Sequence, residues 1–583
     1  MTTIEMLPVE LLIDHLVPFF DVQSILRLAC TNKFFANLCS DEVFWQRKLQ
    51  EDFNFSGADT ARVSGWQFIY RGLYNPKVFV WGEYTRGRLG LGDKIPKHNR
   101  SAGGVPFPTE LKIPGVRIVS LVAGGMSFHA LDSEGHIFVW GTLDGTTMTL
   151  NSDGYSQAGK TAPKPLRLEL PSYITQISCG RLHASALSST GQVWTFVNWG
   201  RPFVLASQHI TNDSRPVQVE CGWGFSSLLT RSNEVFVWWP RSGSMEQETD
   251  AKFAEMDDQR QFAARALPDG VIPCVTWELK VDPYRLPPIP SLPRMTETGE
   301  EVDGEPKIIK IAGMDANLIA LTNHGHVLMF SGLSDEDTVA SGRWSYLPNF
   351  SELDRVQSVP PFSTDVAPPR TMKITHISAN FERFFAYSTG PSSVVLMGNT
   401  DATGESIPYI EAALVDKSVI SVLVGDWHFA ALTSSGKLFT WGAYSNGALG
   451  LGDPTQLPAG SPGGFATEAQ RLNAIEREAG SPPDTTVPTP VRFDHARKSP
   501  KERFCFLACA AGWHTGALAI DLEADDDDEL EQEEIQPERR QIFHRRGRGL
   551  PLHGPDFPNL PFGGGIFRVG FAGRGASRGG RAM

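Results

Sequence analysis

VFVWGEYTRGRLGLGD, residues 78–93, returns as LFTWGAYSNGALGLGD, residues 438–453, with ten of sixteen letters identical. A phrase repeated after 360 residues marks a repeat architecture, and that signal ranks above any local helix or strand pattern. The phrase opens with an alternating apolar strand closed by glycine, as in KLFTWG at 437–442. A companion segment precedes most copies: a β-branched run, a glycine turn and an Ala-Leu pair, as in ITQISCGRLHASALSSTG at 174–191. The companion recurs seven times, starting near Ile118, Ile174, Val217, Ile308, Ile374, Val419 and Phe506. The strand recurs seven times, at Val78, His136, Gln192, Glu234, His326, Val394 and Lys437. A large side chain marks each copy: Trp81, Trp140, Phe196, Trp238, Phe330, Met397 and Trp441.

The order of the halves selects the fold. The repeat region opens with a strand that lacks its companion and ends with a companion that lacks its strand. A ring uses both orphans: they pair into one mixed blade and leave no open sheet edge. The sequence thus predicts a mainly β protein with a seven-bladed β-propeller, at about 63 residues per blade.

The tails GRLGLGD and GALGLGD lack the Gly-Lys-Ser/Thr of a phosphate loop, and their alternate glycines read as inter-strand turns. His183, His428 and His514 share one repeat position, where other copies carry Ser127, Phe225, Asn317 and Arg383. One histidine per blade is spread around a ring, so these read as hydrogen-bonded structural residues. The patterns WGxxxxGxLGxGD and CGxxHxxAL resemble the regulator-of-chromosome-condensation repeat family, over about three quarters of the chain.

Composition bounds the rest. The chain has 583 residues, a formal charge of −13 and seven scattered cysteines. A net acidic chain is a poor general nucleic-acid binder. An odd, scattered cysteine set reads as reduced thiols, with Cys505 and Cys509 as core residues and no metal set around them. No secretory signal and no apolar membrane span is present, so a cytoplasmic or nuclear location and no membrane partner are expected. No cofactor is expected.

Residues 1–75 read as short helices. Pro8 suits a first helical position, Leu12 and Leu16 share a face, and Asp21, Asn32 and Ser40 are candidate caps. LPVELL, LRLAC, KFFANL and VFWQRKL resemble an F-box, and WQFIYR at 66–71 resembles the stretch that often follows one. Pro18-Phe19-Phe20 departs from the usual Tyr/Phe-Leu at that place. The resemblance implies docking to the Skp-family linker of a cullin–RING ubiquitin ligase. It implies contacts at Leu7, Pro8, Glu10, Leu11, Leu16, Ile25, Leu28, Cys30 and Phe34. An F-box joined to this propeller is similar to the fungal SCF-associated factor family.

The expected organisation is therefore an F-box and connector at 1–75, a propeller at 76–522 and a tail at 523–583. Insertions fall at about 243–305 and 455–488. The first holds fourteen acids and six bases between 244 and 305 and reads as a solvated loop. The second contains TEAQRLNAIEREAG, a short helix. In the tail, 523–534 carries nine acids, and 539–581 carries nine arginines among Gly, Pro and Phe. Such a segment is disordered by composition, with weak RNA contact as one expectation. The functional expectation is a non-catalytic substrate receptor that binds the linker, with cullin and RING subunit behind it, and a protein target. The alternative is a guanine-nucleotide exchange factor for a small GTPase or a chromatin-associated propeller. Arg86 and Arg88 are exposed candidates for reading a phosphate on the target.

Overall fold

In a computed structural model the described residues are 4, 7–95, 104–147, 149–150, 153–261, 265–295, 303–362, 364, 366–389, 393–477, 480–495 and 501–522. The tail at 523–583, with its RNA expectation, lies outside them.

Among the described residues the strands form seven sheets of four or five strands. Blades 1 to 6 begin with inner strands Ile118–Ala123, Ile174–Cys179, Pro216–Cys221, Ile308–Gly313, His376–Asn380 and Val419–Val424. Blade 7 is the mixed one: Lys77–Glu83 lies between Gly104–Glu110 and His514–Asp521, and Arg503–Ala511 completes the sheet on the inside. Both orphan halves are used there, with Val80 opposite Gly516 and Trp81 opposite Thr515.

The repeated phrase is an inter-blade clasp. The indole N–H of Trp81 donates to the carbonyl of Ala448, 2.8 Å away in the Gly-rich tail of blade 6. Gly450 of that tail lies so close to the Trp81 ring that an added Cβ would come within 2.6 Å of it. Gly90 sits on Trp140 of blade 1 in the same way. The tail of one blade thus seats its glycine on the tryptophan of the next, so tail and tryptophan recur together. The glycine after each tryptophan has its own cause. Gly82, Gly141 and Gly442 have φ of +102°, +92° and +101°, and a Cβ on each would meet a backbone carbonyl.

The three repeat histidines also bind forward to the next blade. His183 Nε2 lies 3.1 Å from the Phe225 carbonyl, His428 Nε2 2.9 Å from Thr515 Oγ1, and His514 Nε2 3.3 Å from the Ser127 carbonyl. Burial holds His183 and His428 down at about 4, which keeps them neutral.

Blade 5 corrects one assignment of the sequence. Met397 pairs with Phe385, so the residue in the tryptophan register is Gly398, opposite Phe384. The Phe384 and Phe350 rings occupy the space there, within 3 Å of where a Cβ would project. The tryptophan's volume is supplied from elsewhere, which hides the register in the sequence.

Helices α1 Val9–His15, α2 Val22–Ala29, α3 Lys33–Leu38, α4 Glu42–Phe53 and α5 Trp66–Gly72 precede the ring. Asp21 and Asn32 cap α2 and α3 through Ser24 N and Phe35 N. Asp41, rather than Ser40, caps α4, accepting from Phe44 N at 2.8 Å. Pro8 sits at the N-cap of α1, one place before the first helical residue. The helices do not close a core of their own: Trp45, Leu49, Trp66 and Ile69 share one buried cluster with Val80, Phe128 and Ile520 of the ring.

The first insertion is partly woven into the ring rather than loose. Helix α6, Gly243–Asp258, leads to Val271–Ile272 and Trp277–Leu279, which add parallel strands to the outer edges of blades 1 and 2. Tyr284–Arg285 then becomes the fourth strand of blade 3. These additions cover sheet edges that would otherwise be open. The second insertion contains the expected helix, at Glu468–Arg477.

Candidate functional site

All inner strands run the same way, so the ring has two distinct ends. At the end where they start, the connector 54–62 crosses the mouth of the central channel. Asn54 Nδ2 donates to the carbonyl of Ile174 at 2.9 Å, and Ala61 N to that of Ile420 at 2.7 Å. Lys310 Nζ reaches the Ala58 carbonyl at 3.0 Å, and Arg62 the Ser434 carbonyl at 3.2 Å. These anchors fall on blades 2, 4 and 6. Blade 7 adds Phe55 against Phe506 and Phe68 against Phe504, with ring centroids 5.8 and 4.9 Å apart. The Glu42 carboxylate accepts from Gly65 N and Trp66 N, tying α4 to α5.

Asp59, within this crossing, stands in an electrostatic group with Lys310 and Glu220. Burial raises the Asp59 carboxyl, and it pushes Glu220 up to about 8, with Lys310 opposing both. A cation that stabilises two crowded carboxylates from the channel wall also holds the connector by its main chain.

On the helices, Leu7 and Leu11 are each 48 % exposed, Phe19 is 85 % exposed, and Pro8, Glu10 and Cys30 are exposed too. Leu16, Leu28 and Phe34 are half-buried against the helical core. Ile25 differs from the rest of the set: it is fully buried and braces α2 from inside. Val9, Phe19 and Leu26 are exposed large apolar residues absent from the sequence-derived set. The helical period of α2, with Ile25 turned inward, could have pointed Leu26 outward.

At the opposite end, the loops after the inner strands meet around the channel. They are bonded blade to blade: Arg181 N to Trp223 O, Trp223 N to Met314 O, Asp315 N to Phe381 O, and Asp426 N to Gly512 O. Trp223 and Phe381 lie with ring centroids 4.5 Å apart, and the Arg181 guanidinium sits 4.9 Å over Trp223. Phe381 contacts Trp427 at 6.2 Å, and Trp427 is 52 % exposed. Burial pushes Asp426 up to about 6 despite Arg88 and Arg181, and its Oδ1 is buried with no hydrogen-bond partner. Arg86 is exposed, whereas Arg88 is half-buried and its guanidinium is drawn down by burial.

One group of possible metal ligands, Asp132, Glu134 and His136, sits on a hairpin turn of blade 1. There Asp132 Oδ1 accepts from Glu134 N and His136 N, which is the work of a turn. Among the described residues no helix is long and apolar enough to cross a membrane.

Residues 419–448, the inner hairpin of blade 6 and the start of its tail, match the model of the regulator of chromosome condensation (RCC1) repeat. The chain is 30% identical over 180 residues to human E3 ubiquitin-protein ligase HERC2, covering 28% of this chain and 3% of that protein. It is 27% identical over 150 residues to SCF-associated factor 1 of Saccharomyces cerevisiae, covering 25% of this chain and 20% of that one. A crystal structure of Kap60 bound to yeast RCC1 (Prp20) aligns with 77% of this chain and 90% of its own, at 16% identity and a TM-score of 0.48. These curated matches therefore span a fraction of the relatives' lengths, and the fold rests on the strand pairing itself.

Proposed function

We propose that this chain is the substrate-recognition subunit of an SCF-type cullin–RING ubiquitin ligase. The helical module docks the Skp-family linker, and the propeller holds the target protein for ubiquitination and degradation. The observation that carries this reading is the exposed apolar surface at and before α1 and in the α1–α2 turn, Leu7, Leu11 and Phe19, on a module bonded to three blades of the ring and packed on a fourth. Apolar side chains left outside a core, on helices that already share the ring's core, suit a partner's groove. The similarity to SCF-associated factor 1 supports the same reading.

The chain's contribution is positional. A rigid link between docking helices and ring fixes the distance between linker and target, which raises the effective concentration of a target lysine near the conjugating enzyme. The test is co-purification from cells treated with a proteasome inhibitor, comparing wild type with Leu7→Glu/Leu11→Glu. Both side chains are exposed, so the pair should fold. Wild type should bring down linker and cullin, and the double variant neither. Equal capture by both, or capture by neither, contradicts the reading. In the latter case, nucleotide release from small GTPases becomes the assay of interest.

A further inference from the structure

We infer that the ring end opposite the helices is a docking surface for a basic, Arg- or Lys-bearing segment of a partner protein. Its centre is aromatic: Trp223, Phe381 and Trp427 form a chain of ring contacts over the channel mouth. Trp223 already carries a guanidinium, that of Arg181, on its face. Trp427 presents a half-exposed ring among the loops of the same end. Tryptophan faces attract cations through the ring quadrupole, and Arg more often than Lys.

The surroundings supply the countercharge. Glu382, adjacent to Phe381 in the chain, is exposed. Its carbonyl accepts from Thr400 N at 3.2 Å, and this brings exposed Asp401 alongside. Asp426, next to Trp427 in the chain, has an Oδ1 without a hydrogen-bond partner and faces Arg88 and Arg181. With those two guanidiniums already facing Asp426, the exposed acids beside Phe381, Glu382 and Asp401, favour a cation on that side of the aromatic chain. Four of these residues, Trp223, Phe381, Glu382 and Trp427, lie in the inner loops where the repeat places no fixed residue type, so the repeat itself does not require them.

This surface would be the target side of the receptor proposed above and to that extent rests on that reading. Its test needs no ligase, so the two can fail separately. Anisotropy of a fluorescein-labelled Gly-Arg octapeptide is measured against the purified full chain, with Gly-Glu and Gly-Ser octapeptides as controls. Wild type should prefer the Arg peptide and weaken as salt rises. Trp427→Ala and Glu382→Lys should each lower affinity about fivefold or more, while Glu51→Lys, on the helical module, should not. Three results would overturn the inference. One is equal binding by all variants, which would place the peptide elsewhere, such as on the acidic stretch 523–534. Another is a preference for the Gly-Glu peptide. The third is a change in sedimentation rather than affinity on Trp427→Ala, which would make the occupant a second copy of this chain.

Discussion

The two ends of the ring are built from the same seven repeats, yet among the described residues one is covered and the other open. At the helical end a connector spans the channel mouth, bonded to blade 2 through the Asn54 side chain and to blades 4 and 6 through the Ala58 and Ala61 main chain, and aromatic pairs seal the edge on blade 7. At the opposite end seven short loops meet, and the exposed Trp427 contacts Phe381, next to exposed Glu382. Trp81, Gly82 and His514 belong to the repeat: Trp81 and His514 bond adjacent blades together, and Gly82 admits the Trp513 carbonyl within its own sheet. Trp427 and Glu382 occupy positions that the repeat leaves open. In a closed ring, residues that recur answer to closure, and partner chemistry has room only where the recurrence lapses.

That contrast can be broken or sharpened by substitution. The largest effect should come from Trp81→Ala at the closing blade, a fully buried indole whose loss costs about 3–5 kcal/mol. Thermal unfolding should show it plainly, whereas Trp427→Ala, losing one ring contact, should change stability by about 1 kcal/mol or less. A similar loss at both sites would erase the distinction between the ends.

Gly82→Ala should follow. Its Cβ would meet the Trp513 carbonyl at 2.4 Å from a left-handed backbone, and strain of about 1–3 kcal/mol is expected, read as a lowered denaturant midpoint.

His514→Ala removes one inter-blade bond, about 1 kcal/mol at neutral pH. It also changes the acid limb. His183, His428 and His514 have folded pKa values below the unfolded value, so the stability tied to their neutral form is present above about pH 6.5 and lost as pH falls toward 4. A shallower acid limb in His514→Ala is the expected outcome of chemical denaturation between pH 4 and 7, and an unchanged slope would contradict it.

A further effect, at the channel, depends on pH. Glu220 has a folded pKa raised to about 8, so its contribution is present below about pH 4.5 and lost as pH rises toward 8. Glu220→Gln should therefore gain on wild type between pH 6 and 8 and match it near pH 5, when midpoints are compared across that range.

Much of the ring was legible in the letters because its causes are local and repeated. A tryptophan needs a glycine seat in the preceding blade, and a strand without a companion needs a partner at the far end of the chain. Where another residue supplies the volume, as Phe350 and Phe384 do over Gly398, the register became unreadable and Met397 took the place by one residue. The strands inside the first insertion were illegible for a different reason. Val271–Ile272 and Trp277–Leu279 are two and three residues long and pair with distant blades, so no periodicity announces them. Leu7 and Leu11 were readable as a surface through resemblance, but the inward turn of Ile25 is a property of packing. The aromatic end was invisible because Trp223, Phe381 and Trp427 are far apart in sequence and only ring closure brings them together.

The central claim is that two ends of one rigid ring hold two different partners. Its most direct test is a crossed binding experiment with purified full-length protein, scoring a Skp-family linker and the Gly-Arg peptide in parallel. Leu7→Glu/Leu11→Glu should lose the linker and keep the peptide, and Trp427→Ala/Glu382→Lys should lose the peptide and keep the linker. If either variant loses both ligands while its thermal midpoint stays that of wild type, or neither variant loses anything, the two-ended account is wrong.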